Sequence, residues 1–227
     1  LTARHEIDSR RIGIWGGSEG GIVAPVAAAR SRDVAFLILV STIAVTPGEQ
    51  DLERVQRQMR AKGYPEAAVV SAWQLRSLAH DYVRTGVGRD ALVAERERVK
   101  DERWFRDPAG WDTGPVDADT WWKWYRTKID HDPAPILERT KIPVLLIFGG
   151  GDLIVDPKRN AALIESALRK ANNERFEIRI FPGADHGLRV AGGPRPELGG
   201  RWDWPRVAPG YLELMVDWTR GVVKGGP

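Results

Sequence analysis

The chain has 227 residues, 42% of them hydrophobic and 29% charged, enough apolar material for a buried core and too much for a disordered chain. Its longest apolar run, residues 34–40, falls well short of the roughly 18 needed to cross a bilayer, and its 34 Lys and Arg are interleaved with 31 Asp and Glu, so neither a membrane nor a nucleic acid is expected as partner. The absence of cysteine excludes disulfides, Cys-ligated zinc and a thiol nucleophile, and no metal or cofactor is expected.

Residues 11–15 (RIGIW) are a short apolar run that ends in GGSEGG, and the alanine-rich stretch 22–30 follows, which predicts strand, sharp turn, helix. Residues 34–40 (VAFLILV) have the continuous apolar character of a parallel strand covered on both faces. From about 46 to 140 the character changes. Polar, Arg- and Glu-rich stretches carry apolar residues at helical spacing, as in Leu52, Val55 and Met59, then Val69, Val70, Trp73, Leu78 and Tyr82. Pro65, Gly86, Gly88 and the segment 108–115 divide this region into four helices, the last over 118–129.

The strand-helix alternation resumes with residues 143–148 (PVLLIF), a Gly149-Gly150-Gly151 turn, a helix over 157–171 with Ile164, Ala167, Leu168 and Ala171 on one face, and a strand over 176–181. After Pro182-Gly183 come Asp185-His186-Gly187, a Gly/Pro-rich loop to about 209, and a last helix whose expected apolar face is Leu212, Met215, Val216 and Thr219. Strands alternating with helices predict an α/β fold with a parallel sheet.

Residues 16–20 (GGSEG) match G-x-S-x-G between a strand and a helix. A strand turning tightly into a helix brings backbone against backbone, and Gly16 and Gly20 are expected to make the room. Ser18 then lies at a helix N-terminus, where the dipole and the N–H of Glu19 favour a developing oxyanion. A glycine-rich turn with a serine helix cap would look the same.

Of four histidines, His186 follows the last strand, where its ring can reach the carboxyl edge of the sheet; His5, His80 and His131 have no comparable placement. Three acids stand near the late strands. Asp156 precedes Pro157 and reads as a helix cap, Asp185 reads as a residue bonded within its own turn, and Asp152 directly follows strand and turn, the better place for an acid that orients His186.

GGSEGG with IVAPVAAARSRDVAFLILVS, then IPVLLIFGGGDLIVDP, then FPGADHG resemble the α/β-hydrolase fold family, in its branch of bacterial serine esterases and prolyl-oligopeptidase-like peptidases. The order Ser, Asp, His is that family's order. The resemblance implies a partial, mostly parallel sheet comprising about the last four of eight strands, with a helical cap inserted between the sixth and seventh. The first core segment with the elbow would be 1–45, the cap 46–140, and the second core segment, with acid and histidine, 141–227. About ten residues precede the elbow strand, so the first four strands and the loop donating a second oxyanion N–H are expected to lie outside this chain, as is any signal peptide. The strand at 12–15 would then show an open apolar edge, and the chain alone would be weakly active or inactive and prone to associate.

The activity implied is hydrolysis of a small-molecule ester or acyl compound through an acyl-enzyme: Ser18 attacks, His186 carries the proton, Asp152 orients the ring and Glu19 donates its backbone N–H. A serine peptidase and a non-catalytic binding protein on a hydrolase scaffold are the alternatives, and a dehalogenase is disfavoured because a carboxylate would replace Ser18. Trp104, Trp111, Trp121, Trp122 and Trp124 of the helical region, with Trp202 and Trp204 after His186, are candidate walls of an apolar substrate pocket, or else packing residues. Oligomeric state and a cytoplasmic or secreted bacterial location are not distinguished.

Overall fold

The structure, a computed structural model, describes residues 1, 3–107, 119–192 and 204–225. The chain divides into two compact units, Leu1–Ala44 with Pro133–Pro227, and Val45–Asp132.

The first unit holds four parallel strands, β1 (Ile12–Gly17), β2 (Val34–Val40), β3 (Val144–Gly149) and β4 (Phe176–Phe181), in the order β1-β2-β3-β4. β1 is joined to β2 by α1 (Glu19–Arg30), and β3 to β4 by α7 (Pro157–Lys170). Every residue of β3 is buried, which accounts for its unbroken apolar sequence: in a central parallel strand both faces are covered. One face carries Phe36, Ile38, Val40, Leu145 and Ile147, packed with Tyr211 and the partly buried Leu214, Met215, Trp218, Val222 and Val223 of α8 (Tyr211–Gly225). Strand alternation turns Leu37, Leu39, Leu146 and Phe148 to the opposite face, where they are also buried.

The last helix is rotated from its expected face. Leu212 and Val216 are about half exposed. The stripe that reaches the sheet runs Tyr211, Leu214, Met215, Trp218, Val222, and its centre is an edge-on contact between Trp218 and Phe36 with ring centroids 5.8 Å apart. A large aromatic ring placed over the sheet decides the rotation of an amphipathic helix more strongly than a count of small apolar residues. A short antiparallel pair, β5 (Arg189–Val190) with β6 (Arg206–Val207), was not expected, because two-residue strands have no periodicity to detect.

The outer edge of β1 has no strand partner among the described residues, and Trp15 on β1 is largely exposed.

The second unit is helical: α2 (Pro47–Ala61), α3 (Glu66–Thr85), α4 (Arg89–Val99), a single 3-10 turn (Arg103–Arg106) and α5 (Asp119–Arg126). Thr46 caps α2, its hydroxyl accepting the Glu49 N–H at 3.2 Å, with Pro47 in the first turn. Gly86, with φ of 72°, ends α3 in the left-handed conformation. Val55, Met59, Val69, Leu75, Val83, Leu92, Val99, Trp104 and Ile129 form its core. Val70 and Trp73 lie off the buried stripe of α3, which passes instead through Ala72, Arg76 and His80. The helical unit ends at Asp132 and not at 140: α6 (Ala134–Leu137), with Leu137 buried, packs on α1 and α7 in the sheet unit. Pro133 marks that change more accurately than the start of β3.

Arg76 and His80 enter this core because Asp51 meets them. The Asp51 carboxylate accepts from Arg54 Nη2 at 2.8 Å and lies 3.0 Å from His80 Nε2 and 3.2 Å from Arg76 Nε. Burial alone would raise the Asp51 pKa, but Arg76, the His80 hydrogen bond and Arg54 outweigh it and hold the carboxyl well below the usual range. Replacing Asp51 with asparagine is expected to cost about 3–5 kcal/mol in urea unfolding, because the buried Arg76 would lose the carboxylate 3.2 Å from its Nε. Since the folded pKa is the depressed one, the advantage of wild type is full above about pH 5 and fades as pH falls below about 4. An unfolding midpoint unchanged at pH 7 would show that the cluster contributes nothing.

Candidate active site

A single residue separates the end of β1 from the start of α1. Ser18 stands between them at φ 52° and ψ −118°, a left-handed φ that a non-glycine residue adopts only when its surroundings enforce it. Two hydrogen bonds do so: the Ser18 N–H donates to Val40 O of β2 at 2.8 Å, and Ser18 O accepts the Gly21 N–H at 3.0 Å. A Cβ on Gly16 would lie 2.3 Å from Gly20 O, so no larger residue fits there. Gly20 itself is different from expectation: a Cβ there meets nothing within 4 Å, and Gly20 contributes only its backbone. The second sterically required glycine is Gly21, where a Cβ would lie 2.5 Å from Thr42. Ser18 is exposed, and Glu19 opens the 12-residue α1, whose positive end therefore faces the serine.

Asp152 follows β3 and its glycine turn. Its side chain is fully buried, with Oδ1 accepting from the N–H groups of Ile154 (2.7 Å) and Val155 (3.0 Å). That leaves Oδ2 facing one partner, His186 Nδ1, at 2.7 Å. A carboxylate can only accept, so Nδ1 carries the proton and Nε2 is left as the basic nitrogen. His186 is about three-quarters buried. The loop that brings it back runs directly over the end of β3: Gly150 N–H donates to Phe181 O and Gly151 N–H to Ala184 O, both at 2.8 Å, and a Cβ on Gly149 would lie 2.2 Å from Asp185 O. The triple glycine thus lets the histidine loop approach the acid.

The competing acids have local work. Asp156 caps α7, accepting the Arg159 N–H at 2.9 Å. Asp185 Oδ1 accepts the N–H groups of Gly187 and Arg189 at 2.8 and 2.9 Å; burial pushes its pKa up, but these bonds and the Arg189 side chain bring it below the usual value. Of the other histidines, His5 and His131 are exposed and His80 is buried on Asp51.

Because β1, β3 and β4 are parallel, Gly17, Gly149 and Phe181 all end at one edge, and Ser18, Asp152 and His186 all follow it. Ligands of open α/β sheets bind at that carboxyl edge. Among the described residues no group of three His, Asp or Glu side chains could hold a metal ion.

Residues 117–197, which carry both Asp152 and His186, match the dienelactone hydrolase family. The parallel strands and the helices that join them give the chain an α/β fold. Similar solved structures include DcsB in complex with a substrate analogue (18% identity, TM-score 0.48, covering 98% of this chain and 68% of that one), an esterase of Pyrococcus furiosus (14%, 0.46, 96% and 55%) and a monoacylglycerol lipase of Paleococcus ferrophilus (17%, 0.45, 92% and 67%). No curated protein matches the sequence.

The tryptophans of this chain are less uniform than their sequence suggests. Trp104 is 2% exposed in the core of the helical unit, edge-on to Phe105, and is a packing residue there. Trp124 is half exposed with the Lys128 ammonium 3.4 Å from its ring centroid, and Trp204 is exposed. Trp111 and Trp202, and the side chains of Trp121 and Trp122, lie outside the described residues.

Sequence reasoning passed over Ser41 and Thr42, two buried polar residues that directly follow β2. The signal was available: two hydroxyl residues end a run of seven apolar ones.

Proposed function

We propose that this chain is an α/β-hydrolase that cleaves carboxylic esters by acyl transfer to water, with Ser18 as nucleophile. The observation that carries the reading is the Asp152–His186 pair at 2.7 Å, fully buried at its acid end, on the same sheet edge as an exposed serine held at positive φ. Asp152 keeps the His186 proton on Nδ1. Nε2 takes the Ser18 proton as Oγ attacks the ester carbonyl, then returns it to the leaving alkoxide; water repeats the cycle on the acyl-enzyme. The N–H of Glu19, at the start of α1, stabilises the oxyanion. The helical unit, inserted in the chain between β2 and β3, is assigned the role of substrate cap on that connectivity.

A fluorophosphonate reacts only with an activated serine. Treated with one, the chain is expected to gain a single adduct, on the peptide containing Ser18, and to gain none when His186 is alanine. An adduct elsewhere, or equal labelling without His186, would falsify the assignment.

A further inference from the structure

Ser18 owes its position to the segment that leaves β2. Val40 O holds the Ser18 N–H, and two residues later Thr42 meets the first turn of α1 at Gly21. Between them Ser41 takes a φ of 48° while its N–H donates to Ile147 O of β3 at 2.8 Å, so the chain turns out of the sheet without losing its hold on the central strand. Further on, Ala44 N–H donates to Asn160 Oδ1 of α7 at 2.8 Å, anchoring the far end of the segment.

Ser41 and Thr42 are each 1% exposed, and their hydroxyls make no hydrogen bond among the described residues. A buried hydroxyl without a partner and a left-handed non-glycine residue both oppose folding, so this step is not what packing alone would select. What the Thr42 side chain does accomplish is contact. A Cβ on Gly21 would lie 2.5 Å from both Thr42 Cβ and Oγ1, which means the backbone of α1 rests directly on Thr42. Gly21 in turn bonds Ser18 O, so a displacement at Gly21 is passed to the serine through one hydrogen bond.

We infer that Thr42 is a positioning residue for Ser18, setting the serine's place above the sheet by bearing on the α1 backbone at Gly21. The inference rests on Ser18 being the nucleophile. Thr42 acts through shape, and no contact with substrate is assigned to it.

Pushing the two apart and then restoring the space tests this. Gly21→Ala places a methyl group where Thr42 stands; Gly21→Ala with Thr42→Gly makes room again. Inactivation by a fluorophosphonate is followed over a concentration series in the 227-residue chain, with circular dichroism measuring the folded fraction. Gly21→Ala is expected to lower the limiting inactivation rate of the folded protein by about 10²-fold, the scale of a 1 Å misplacement, with the half-saturating concentration unchanged. The double variant is expected to recover to within about tenfold of wild type.

A residue with only a structural role would change the folded fraction and leave the rate of folded molecules alone. The inference is overturned if folded Gly21→Ala inactivates at the wild-type rate, or if the folded double variant remains as slow as the single one. Should Gly21→Ala not fold, the double variant decides by the same threshold. A wild-type chain that takes no label at Ser18 sinks the esterase reading itself, and this inference with it; a labelled wild type with insensitive variants sinks the inference alone.

Discussion

Replacing Ser18 with alanine is expected to lower hydrolysis of p-nitrophenyl esters to a small residual rate above background, a loss on the order of 10⁶ in turnover for a site at full strength. In the proposed mechanism the hydroxyl oxygen forms the acyl-enzyme, and the sequence has no cysteine to substitute for it. His186→Ala is expected to cost about as much, and the double variant no more than either, because nucleophile and base act as one unit. This non-additivity distinguishes chemistry from damage: two unrelated destabilisations would add. Rates measured across acyl-chain lengths, with folding checked in parallel, decide the matter. A Ser18→Ala chain hydrolysing at the wild-type rate removes the serine from the mechanism.

Asp152→Asn is expected to lower turnover by about 10⁴-fold while hardly changing thermal stability. The geometry says why so small a change is so costly. Oδ1 sits against two backbone N–H donors, Ile154 and Val155, and those donors require an oxygen there. An asparagine must therefore turn its NH₂ toward His186 Nδ1, which then has to accept. The ring proton moves to Nε2, and the nitrogen that should receive the Ser18 proton is already occupied. Packing is almost unaltered, since amide and carboxylate have nearly the same shape. A loss of less than tenfold would mean that Asp152 does not fix the ring, and that the 2.7 Å contact is only a satisfied buried pair.

Much of this site is visible along the chain because its parts are local. A glycine, any residue, a serine, any residue and a glycine between a strand and a helix constrain one turn, and the required closeness at Gly16 is a property of that turn. The choice among Asp152, Asp156 and Asp185 is also local. A residue before Pro157 is poised to cap a helix and one beside His186 to bond its own turn, and both do so.

Other features depend on neighbours that the sequence does not announce. Asp51 and His80 stand 29 residues apart on different helices, and nothing in either segment marks the other as its partner. The same is true of Gly21 and Thr42, where the need for glycine at position 21, and not at 20, is created by a side chain from another element. The rotations of α3 and α8 belong here too, because Trp73 and Trp218 are equally apolar in sequence, yet only Trp218 finds Phe36 to pack on.

The amino-acid order by itself determined the parallel α/β plan, the four strands, the serine turn and the pairing of Asp152 with His186, because short-range periodicity and turn chemistry act within a few residues. Only the tertiary structure decided which helix faces are buried, where the helical unit ends, which glycines are indispensable and how Asp51 keeps an arginine and a histidine in a core. These depend on contacts between segments far apart in the chain, whose free energy exists only once the chain has folded.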